Sequence, residues 1–358
     1  MFKSLYISNF RGIKDLEIKD FGKINLIVGE NNSGKTTILD ALFLITNPVN
    51  PRLISNINIF RGFNRLDESF FTSYFYKFNT EIPANIHVSL EDGSERDLVI
   101  EPRFEDDSEG SLSSIDHDGF PFIDELSIDN SVSEINGVSL FYRNNELDSE
   151  PLVSHTFLSP QEGLKFQAPK HREVLKGVYI HSKNSTNTPE ERFEKVVVDK
   201  KLDYIIDVLK IIEPDLTDIR LGVNGLIFCD VGYKKLIPIN AMGDGIQKLL
   251  SLILAMYYSR NGAIFIDEFE NGIYFSKFPQ IWNTLLKASH NFNCQIFATT
   301  HSIEAINSFA KLSKDSDLFS KYEDVKLFRV EQYKDEHEII SFNKNILLNS
   351  LEKGFEIR

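Results

Sequence analysis

Residues 29–37 are the feature of the sequence that most restricts its fold. They read Gly-Glu-Asn-Asn-Ser-Gly-Lys-Thr-Thr, which matches the G-x-x-x-x-G-K-T pattern of a phosphate loop. An apolar run at residues 24–28 precedes them, and a helical pattern begins at Thr36. A strand, a Gly-containing loop and a helix in this order present backbone N–H groups and a helix N-terminus to phosphate. The sequence therefore predicts a P-loop fold that binds a nucleoside triphosphate.

Individual side chains of this loop have separate predicted tasks. Lys35 is expected to reach the outer phosphates, and the Thr36 hydroxyl is expected to ligate Mg²⁺. The alternative is a Gly-rich turn with no ligand, which the flanking strand and helix argue against. The residues predicted to hold the phosphates are Gly29, Asn31, Asn32, Ser33, Gly34, Lys35, Thr36 and Thr37.

Two later strand-like runs end in polar residues that suit the same chemistry. Residues 263–266 are apolar and are followed by Asp267 and Glu268. At the carboxyl edge of a parallel sheet, Asp267 would hold Mg²⁺ together with Thr36, and Glu268 would orient and deprotonate the attacking water. The alternative is a strand followed by an ordinary acidic turn.

The second of these runs, at residues 295–299, is followed by Thr-His-Ser. His301 is therefore predicted to reach the γ-phosphate or the water as a switch histidine. A histidine at a helix start is more often a surface residue. Only the neighbouring acidic strand end distinguishes His301 from the other histidines.

Charge restricts the partners of the chain. The 39 basic and 53 acidic residues give a formal charge of −14, so the molecule as a whole repels nucleic acid and anionic lipid. A direct contact with DNA would need a local basic cluster. The sequence offers one, at Lys165, Lys170, His171, Arg172 and Lys176.

The two cysteines and the hydropathy indicate the compartment. Cys229 and Cys294 lie in apolar strand-like runs, so we expect buried thiols and neither a metal site nor a disulfide. No apolar run is long enough to span a bilayer. A cytoplasmic location is therefore expected.

The order of elements predicts an α/β fold with a mixed sheet flanked by helices. A β-hairpin precedes the phosphate loop, and strands and helices alternate towards the end of the chain. Between them, aromatic residues at 50–80 suggest a core more than a binding surface, and residues 84–157 suggest an inserted β-rich layer. The expected regions are 1–48 and 201–358, which form the two parts of the head, and 49–200, which is a β-rich and helical insertion.

These motifs together resemble a known family. The phosphate loop, a Met-Gly-Asp-Gly segment at residues 242–245, the Asp-Glu strand end and the Thr-Thr-His-Ser segment occur in this order. They resemble the ABC-type ATPases of the RecF, SMC and OLD (overcoming lysogenisation defect) group. The similarity is closest to the OLD-type ATPase domain, through Asn-Phe-Arg-Gly at residues 9–12, Asp-Glu-Phe-Glu-Asn-Gly-Ile at residues 267–273 and the terminal residues 354–358.

The resemblance implies a composite site. In this family two ATPase heads pair head to tail, and the signature segment of one head caps the γ-phosphate bound to the other. A Gly-x-Gly turn at a helix N-terminus suits that task. Here Asp244 stands where transporter ATPases have a second small residue. By the same analogy Arg11 would contact the nucleotide, although an exposed hairpin arginine is the alternative, and Gln161 is the candidate for the Q-loop. The predicted signature contacts are Met242, Gly243, Asp244 and Gly245.

The expected function is an ATP-hydrolysing switch with ATP and Mg²⁺ as cofactors. Full OLD proteins continue into a Toprim nuclease domain, and residues 342–358 leave no room for one. The resemblance thus implies a stand-alone ATPase, homodimeric or larger, that controls a separately encoded nuclease or toxin in bacterial anti-phage defence. The alternatives are a RecF-like DNA repair ATPase that binds DNA directly, and a scaffold with degenerate ATPase chemistry.

Lys35→Ala should abolish nucleotide binding, because the substitution removes the cation that reaches the outer phosphates. Titration of the purified chain with a fluorescent ATP analogue measures the effect. Lys14→Ala, outside the loop, should bind the analogue as the wild type does. Unchanged binding by the Lys35 variant would contradict the phosphate-loop assignment.

Overall fold

The chain forms two compact units in the computed structural model. The first contains Met1–Phe21, Asn32–Leu175 and Val330–Ile339, and the second contains Gly22–Asn31, Lys176–Arg329 and Ile340–Arg358. Gln161, Arg172 and residues 354–358, which the sequence analysis singled out, lie outside the described residues. The structure describes residues 1–104, 113–114, 127–128, 135–145, 150–159, 162–171, 173–181, 189–222, 225–312, 325–343, 346–347 and 349.

Strands make up much of the described chain. In chain order they are β1 (Phe2–Phe10), β2 (Ile13–Ile18), β3 (Ile24–Gly29), β4 (Arg65–Leu66), β5 (Ala84–Leu90), β6 (Glu95–Phe104), β7 (Ser113–Ser114), β8 (Ser127–Ile128), β9 (Ile135–Asn144), β10 (Leu152–Ser159), β11 (Gly163–Ala168), β12 (Gly177–Ile180), β13 (Asp218–Leu221), β14 (Ile227–Asp230), β15 (Ile237–Pro238), β16 (Ala263–Ile266), β17 (Gln295–Thr299), β18 (Val325–Tyr333) and β19 (Glu336–Phe342). The helices are α1 (Lys35–Leu44), α2 (Pro51–Phe60), α3 (Glu68–Thr72), α4 (Pro189–Val198), α5 (Leu202–Leu209), α6 (Asp244–Tyr258), α7 (Phe278–Asn291) and α8 (Ile303–Leu312).

The first unit is built on an antiparallel sheet of eight strands in the order β2-β1-β5-β6-β9-β10-β11-β7. The predicted hairpin is confirmed, because β1 and β2 pair with Leu5 opposite Ile18. The predicted β-rich layer is confirmed as well, and the hairpin belongs to the same sheet, since Ile7 of β1 lies opposite Ile86 of β5. Sequence separation hid this pairing, because it joins segments about eighty residues apart along the chain.

The aromatic stretch before β5 divides between core and surface. Phe70, Phe71, Tyr74 and Phe75 are buried, and the Tyr74 hydroxyl donates to the Ile54 carbonyl at 2.7 Å. These residues confirm the expected core. Phe78, in contrast, is 63% exposed, so the end of the stretch belongs to the surface.

A six-stranded sheet forms the centre of the second unit, with the strand order β12-β16-β17-β3-β18-β19. The four strands from β12 to β3 run parallel to one another. Every residue of β3, β16 and β17 is buried, as expected for parallel strands covered on both faces. Because parallel strands end at the same edge, Gly29, Asp267 and Thr300 emerge side by side.

Helices α4 to α8 and a small β13-β14-β15 sheet complete the second unit. Helix α5 ends at Leu209, and the chain turns over residues 210–212 ahead of Pro214. Cys229 and Cys294 are buried free thiols, as predicted, and burial raises their pKa to about 11 and about 12. No helix in the described part of the chain is long and apolar enough to cross a membrane.

Trp282 of α7 is central to the core of the second unit. Its ring stacks on Phe269 with centroids 3.9 Å apart and meets Phe309 edge-on at 5.0 Å. Its Nε1 donates to the Ala305 carbonyl at 3.3 Å. Phe269 directly follows Glu268, so this contact anchors the loop that carries the predicted catalytic carboxylates.

Trp282→Ala should lower the free energy of unfolding by about 3–5 kcal/mol, because it leaves a cavity in a fully buried site. Chemical denaturation followed by circular dichroism measures this. Lys287→Ala, on the exposed side of the same helix, serves as the control and should unfold as the wild type does. Equal stability of the two variants would show that this core does not depend on the tryptophan.

Candidate nucleotide site

The phosphate loop has the backbone that an anion cradle requires. Strand β3 ends at Gly29, and helix α1 begins at Lys35. Between them Asn32 and Gly34 have φ of 66° and 97°, in the left-handed region. A Cβ on Gly34 would lie 3.3 Å from the Ile13 side chain, so both the angle and the space favour glycine. Alternating left- and right-handed residues turn successive N–H groups towards one point, which suits a phosphate.

The start of α1 also lacks competitors for an anion. Its first turn contains no acidic residue, and no side chain caps it. Ser33 is 3% exposed, and its hydroxyl has no hydrogen-bond partner among the described residues. A bound phosphate oxygen would satisfy this hydroxyl as well as first-turn N–H groups.

A cavity of about 670 Å³ opens beside this helix terminus in the first unit. Its volume lies within the ~300–1,000 Å³ typical of small-molecule sites. Residues of the loop and α1 line one part of it, and aromatic residues line another. The lining residues are Arg11, Gly12, Asn32, Gly34, Lys35, Thr36, Thr37, Arg61, Phe63, Ser73, Phe75, Tyr76, Lys77, Phe78, Gln332 and Asp335.

The aromatic wall of the cavity comes from a strained segment. Lys77 and Phe78 are consecutive non-glycine residues with φ of 52° and 59°. The Lys77 ammonium is 2.7 Å from an Asp335 carboxylate oxygen, and that hydrogen bond raises the pKa of Lys77. Tyr76 and Phe78 present flat apolar rings on which a nucleotide base could stack. The sequence predicted a core for this aromatic stretch, and the exposure of its last residues was not expected.

Arg11 lines the cavity, but its guanidinium is committed to neighbours. Its Nε lies 3.2 Å from the Asp40 carboxylate, and its Nη2 donates to Asn58 at 2.8 Å. Arg61 binds the same Asp40 oxygen at 2.7 Å and is more exposed. The exposed-arginine alternative for Arg11 is therefore wrong, since the residue is 8% exposed. Its contact with nucleotide stays a prediction, and Arg61 is a second cation that the sequence analysis did not single out.

The carboxylate half of the predicted site lies in the second unit. Asp267 follows β16 and is 5% exposed. The Thr299 hydroxyl, at the end of β17, donates to Asp267 Oδ1 at 2.7 Å and accepts from the Glu268 N–H at 2.9 Å. One hydroxyl therefore connects the Asp267 carboxylate and the main chain of Glu268 to the neighbouring strand.

Glu268 is held in place by its main chain as well as its side chain. Its φ of 51° is unusual for a non-glycine residue. The Lys248 ammonium donates to the Glu268 carbonyl at 2.9 Å, and the Asn271 amide donates to Glu268 Oε2 at 2.6 Å. Neither Lys248 nor Asn271 was expected from the sequence, because a buried lysine on a helix is indistinguishable there from a solvated one.

The charge of Lys248 is costly in this position. Burial lowers its pKa to about 8, against the attraction of Glu270, Glu268 and Asp267. Such a cation beside three carboxylates compensates their mutual repulsion.

His301 has a carboxylate partner, Glu270, for which the sequence predicted no role. Its Nδ1 lies 3.0 Å from Glu270 Oε1, and its main-chain N–H donates to the same oxygen at 3.0 Å. The ring is 48% exposed. The structure thus brings His301 to the same loop as Asp267 and Glu268.

The predicted signature segment begins α6 and packs against that loop. Gly243 is the N-cap of α6, and both Gly243 and Asp244 are exposed. A Cβ on Gly245 would lie 3.1 Å from the Gly272 carbonyl oxygen, so glycine permits the close approach. The turn combines an exposed helix N-terminus with a tight contact to the loop of residues 268–272.

The oxygen ligands present suit Mg²⁺. No group of three or more histidine, cysteine, aspartate or glutamate side chains in the described part of the chain could hold a metal by itself. In triphosphate sites Mg²⁺ usually takes one or two protein ligands and completes its shell with phosphates and water. Thr36 and Asp267, the residues predicted for this role, are oxygen donors of that kind, and their joint binding of Mg²⁺ stays a prediction.

The chain is similar to several known proteins. Across 355 residues the chain is 22% identical to the "ATP/GTP phosphatase" of Helicobacter pylori, which covers 93% of both proteins. It is 43% identical to "DNA replication and repair protein RecF" of Clostridioides difficile over 44 residues, or 12% of each chain. Its fold resembles an SMC head crystallised with the C-winged helix domain of ScpA, with a TM-score of 0.51 and 12% identity over 97% of this chain and 99% of that one.

Residues 24–307 match a family described as "AAA domain, putative AbiEii toxin, Type IV TA system". The match covers most of the chain, which therefore belongs to this family. It is an ATPase of this family, and its fold is that of an SMC head.

Asp40→Asn should lower the free energy of unfolding by about 3 kcal/mol, because it leaves Arg11 and Arg61 without their buried counter-charge. Denaturant titration measures the change. Asp207→Asn is the matched control, since Asp207 forms only an exposed pair with Lys210 and should change stability little. Similar effects of the two substitutions would contradict a structural role for the Arg11–Asp40–Arg61 cluster.

Proposed function

We propose that the protein is an OLD-type ATPase switch that closes head to tail around ATP and controls a separately encoded effector. The observation that carries the proposal is the pair of half-sites. One is the phosphate loop with its adjoining cavity, and the other is a strand end that carries a buried Asp267 and a partly buried Glu268, both bonded by Thr299. Together they supply a triphosphate cradle, a metal ligand and a base.

Each half-site has a defined task in hydrolysis. Lys35 and the start of α1 would hold the phosphates, and Thr36 and Asp267 would hold Mg²⁺, which when bound would offset phosphate charge. Glu268 accepts a proton from the attacking water as the bond to the γ-phosphorus forms and the bond to ADP breaks. His301 contacts the γ-phosphate. The aromatic wall at Tyr76 and Phe78 takes the base.

The exposed turn at the start of α6 supports the dimer. It is a helix N-terminus without a side-chain cap, which favours an anion, although Asp244 places a negative charge in its first turn. A γ-phosphate on a second head, contacted by residues 242–245, is such an anion. The same turn packs against the loop of residues 268–272. Closure of the dimer would therefore change the position of Glu268. Binding of ATP across two heads favours the closed dimer, and hydrolysis releases it.

The setting of the switch follows from relatives and is a proposal by analogy. The family description includes the word toxin, and the similar SMC head is bound to a domain of another protein. We infer that this chain acts on a nuclease or toxin in a bacterial anti-phage system. Co-expression with the products of neighbouring reading frames, followed by purification, would identify that effector.

A DNA-binding function is the second candidate, and one cluster favours it. The cations of Lys176, Arg192 and Lys195 lie 5.5, 5.5 and 5.7 Å from the centre of the Tyr258 ring. Cations beside an aromatic ring suit a phosphate backbone. The cluster expected from the sequence is less suitable, because Lys165 pairs with Glu162 and His171 lies 3.7 Å from Glu173. A salt-dependent shift of DNA by the purified chain would support this candidate.

Glu268→Gln should reduce kcat for ATP by at least about 100-fold, because the amide cannot accept the proton of water. Binding of ATP should be unchanged, and a dimer should accumulate with ATP. Steady-state phosphate release and light scattering after gel filtration measure the two effects. Assays with both ATP and GTP would show which nucleotide is used.

Two controls make the result specific. ADP should not support the Glu268→Gln dimer, and the Lys35→Ala/Glu268→Gln double variant should remain monomeric with ATP. Normal hydrolysis by Glu268→Gln would contradict the assignment of Glu268 as the base. A Glu268→Gln variant that stays monomeric with ATP would contradict the head-to-tail switch.

A further inference from the structure

Glu270 and His301 form a pair distinct from the predicted base. Both the Nδ1 and the main-chain N–H of His301 lie 3.0 Å from Glu270 Oε1. Glu268 is engaged elsewhere, since its Oε2 accepts from Asn271. In the described part of the chain, Glu270 is the one carboxylate within ion-pair distance of His301. Two different carboxylates of this loop therefore have different partners: Glu270 holds the histidine, and Glu268 is the one proposed to act on water.

The contact determines which nitrogen of His301 faces a ligand. An ionised carboxylate only accepts hydrogen bonds, so the proton of a neutral imidazole lies on Nδ1. Nε2, on the far side of the half-exposed ring, then accepts a hydrogen bond, and it donates one when the ring is an imidazolium. A second-sphere carboxylate of this kind fixes the orientation of an imidazole ring.

Glu270 is itself fixed by its surroundings. Its side chain is 11% exposed, and its second oxygen, Oε2, is buried without a hydrogen-bond partner among the described residues. Lys248 supplies a compensating charge, because Glu270 is the carboxylate that most favours the ammonium form of that lysine. A largely buried carboxylate that contacts both the main chain and the ring of His301 through one oxygen can hold the ring to one orientation.

We propose that Glu270 is the positioning residue of His301. It fixes the ring so that Nε2 contacts the γ-phosphate during hydrolysis, while Glu268 takes the proton of water. The proposal rests on the role of His301 in the proposed function. Glu270 acts through His301 and makes no contact with the nucleotide.

The test compares four variants of the full chain, Glu270→Gln, His301→Ala, the double variant and Glu304→Gln. Glu270→Gln should lower kcat by about 10- to 100-fold, the effect typical of a lost orienting carboxylate. KM and ATP affinity should stay within about threefold, because the phosphate cradle is untouched. The double variant should turn over ATP as slowly as His301→Ala does, since a positioning residue has no effect once its partner is gone.

Glu304→Gln is the matched control. Glu304 lies three residues from His301 and accepts a hydrogen bond from Ser302 at 2.9 Å, but it does not touch the imidazole. Its kcat should equal that of the wild type. A wild-type kcat in Glu270→Gln, or a further loss of the same size when Glu270→Gln is added to His301→Ala, would overturn the proposal.

A second measurement does not depend on activity or on the folding of the glutamine variant. Nuclear magnetic resonance of the wild-type chain with ¹⁵N-labelled histidine, assigned by loss of the signal in His301→Asn, reports the tautomer of the neutral ring at alkaline pH. The Nδ1–H tautomer is expected, and the Nε2–H tautomer would overturn the pairing.

Failure of this proposal is distinguishable from failure of the proposed function. Slow Glu268→Gln with normal Glu270→Gln overturns only the role of Glu270. Normal hydrolysis by Glu268→Gln overturns the assignment of the base, and the histidine tautomer still decides the Glu270 pairing.

Discussion

The hydroxyl of Thr299 is the contact on which the candidate chemistry depends. It donates to Asp267 and accepts from the main chain of Glu268, and so it joins the ends of β16 and β17. Such a buried network is stable only when each member has its partner. The parallel register of apolar strands brings the three groups together, and the fully buried strands leave little freedom for them to separate. In the proposed mechanism, the metal ligand and the base would therefore need little reorganisation before reaction.

The loop after Asp267 is held by contacts from several elements of the second unit. Lys248 reaches its main chain from α6, Asn271 and His301 bind two different carboxylates, and Phe269 is stacked on Trp282. Helix α6 also begins with the predicted signature turn. In the proposed head-to-tail dimer, this one helix would connect the partner head to the position of Glu268 and so couple closure to hydrolysis.

The cavity beside the start of α1, in the first unit, is lined by residues that the sequence motif alone does not predict. The loop backbone and the start of α1 follow the motif. The adjoining cavity depends on Tyr76 and Phe78, which share an aromatic stretch with buried core residues. Arg11 lines the same cavity, yet it is bound to Asp40 and Asn58. The amino-acid types alone could not show which of these residues are buried and which line the cavity, because aromatic residues and arginines occur in both places.

The sequence by itself determined the P-loop ATPase class, the N-terminal hairpin, the alternation of strands and helices over residues 263–312, the β-rich middle region and the buried thiols. Local patterns suffice there, because apolar runs, helical periodicity and the loop motif are each recognised within a few neighbouring residues. Only the tertiary structure decided that the N-terminal hairpin joins the inserted sheet, that Lys248 is buried beneath Glu268, and that His301 is bound by Glu270. These contacts join residues from about twenty to eighty positions apart, and their energies depend on burial, which no local pattern reports.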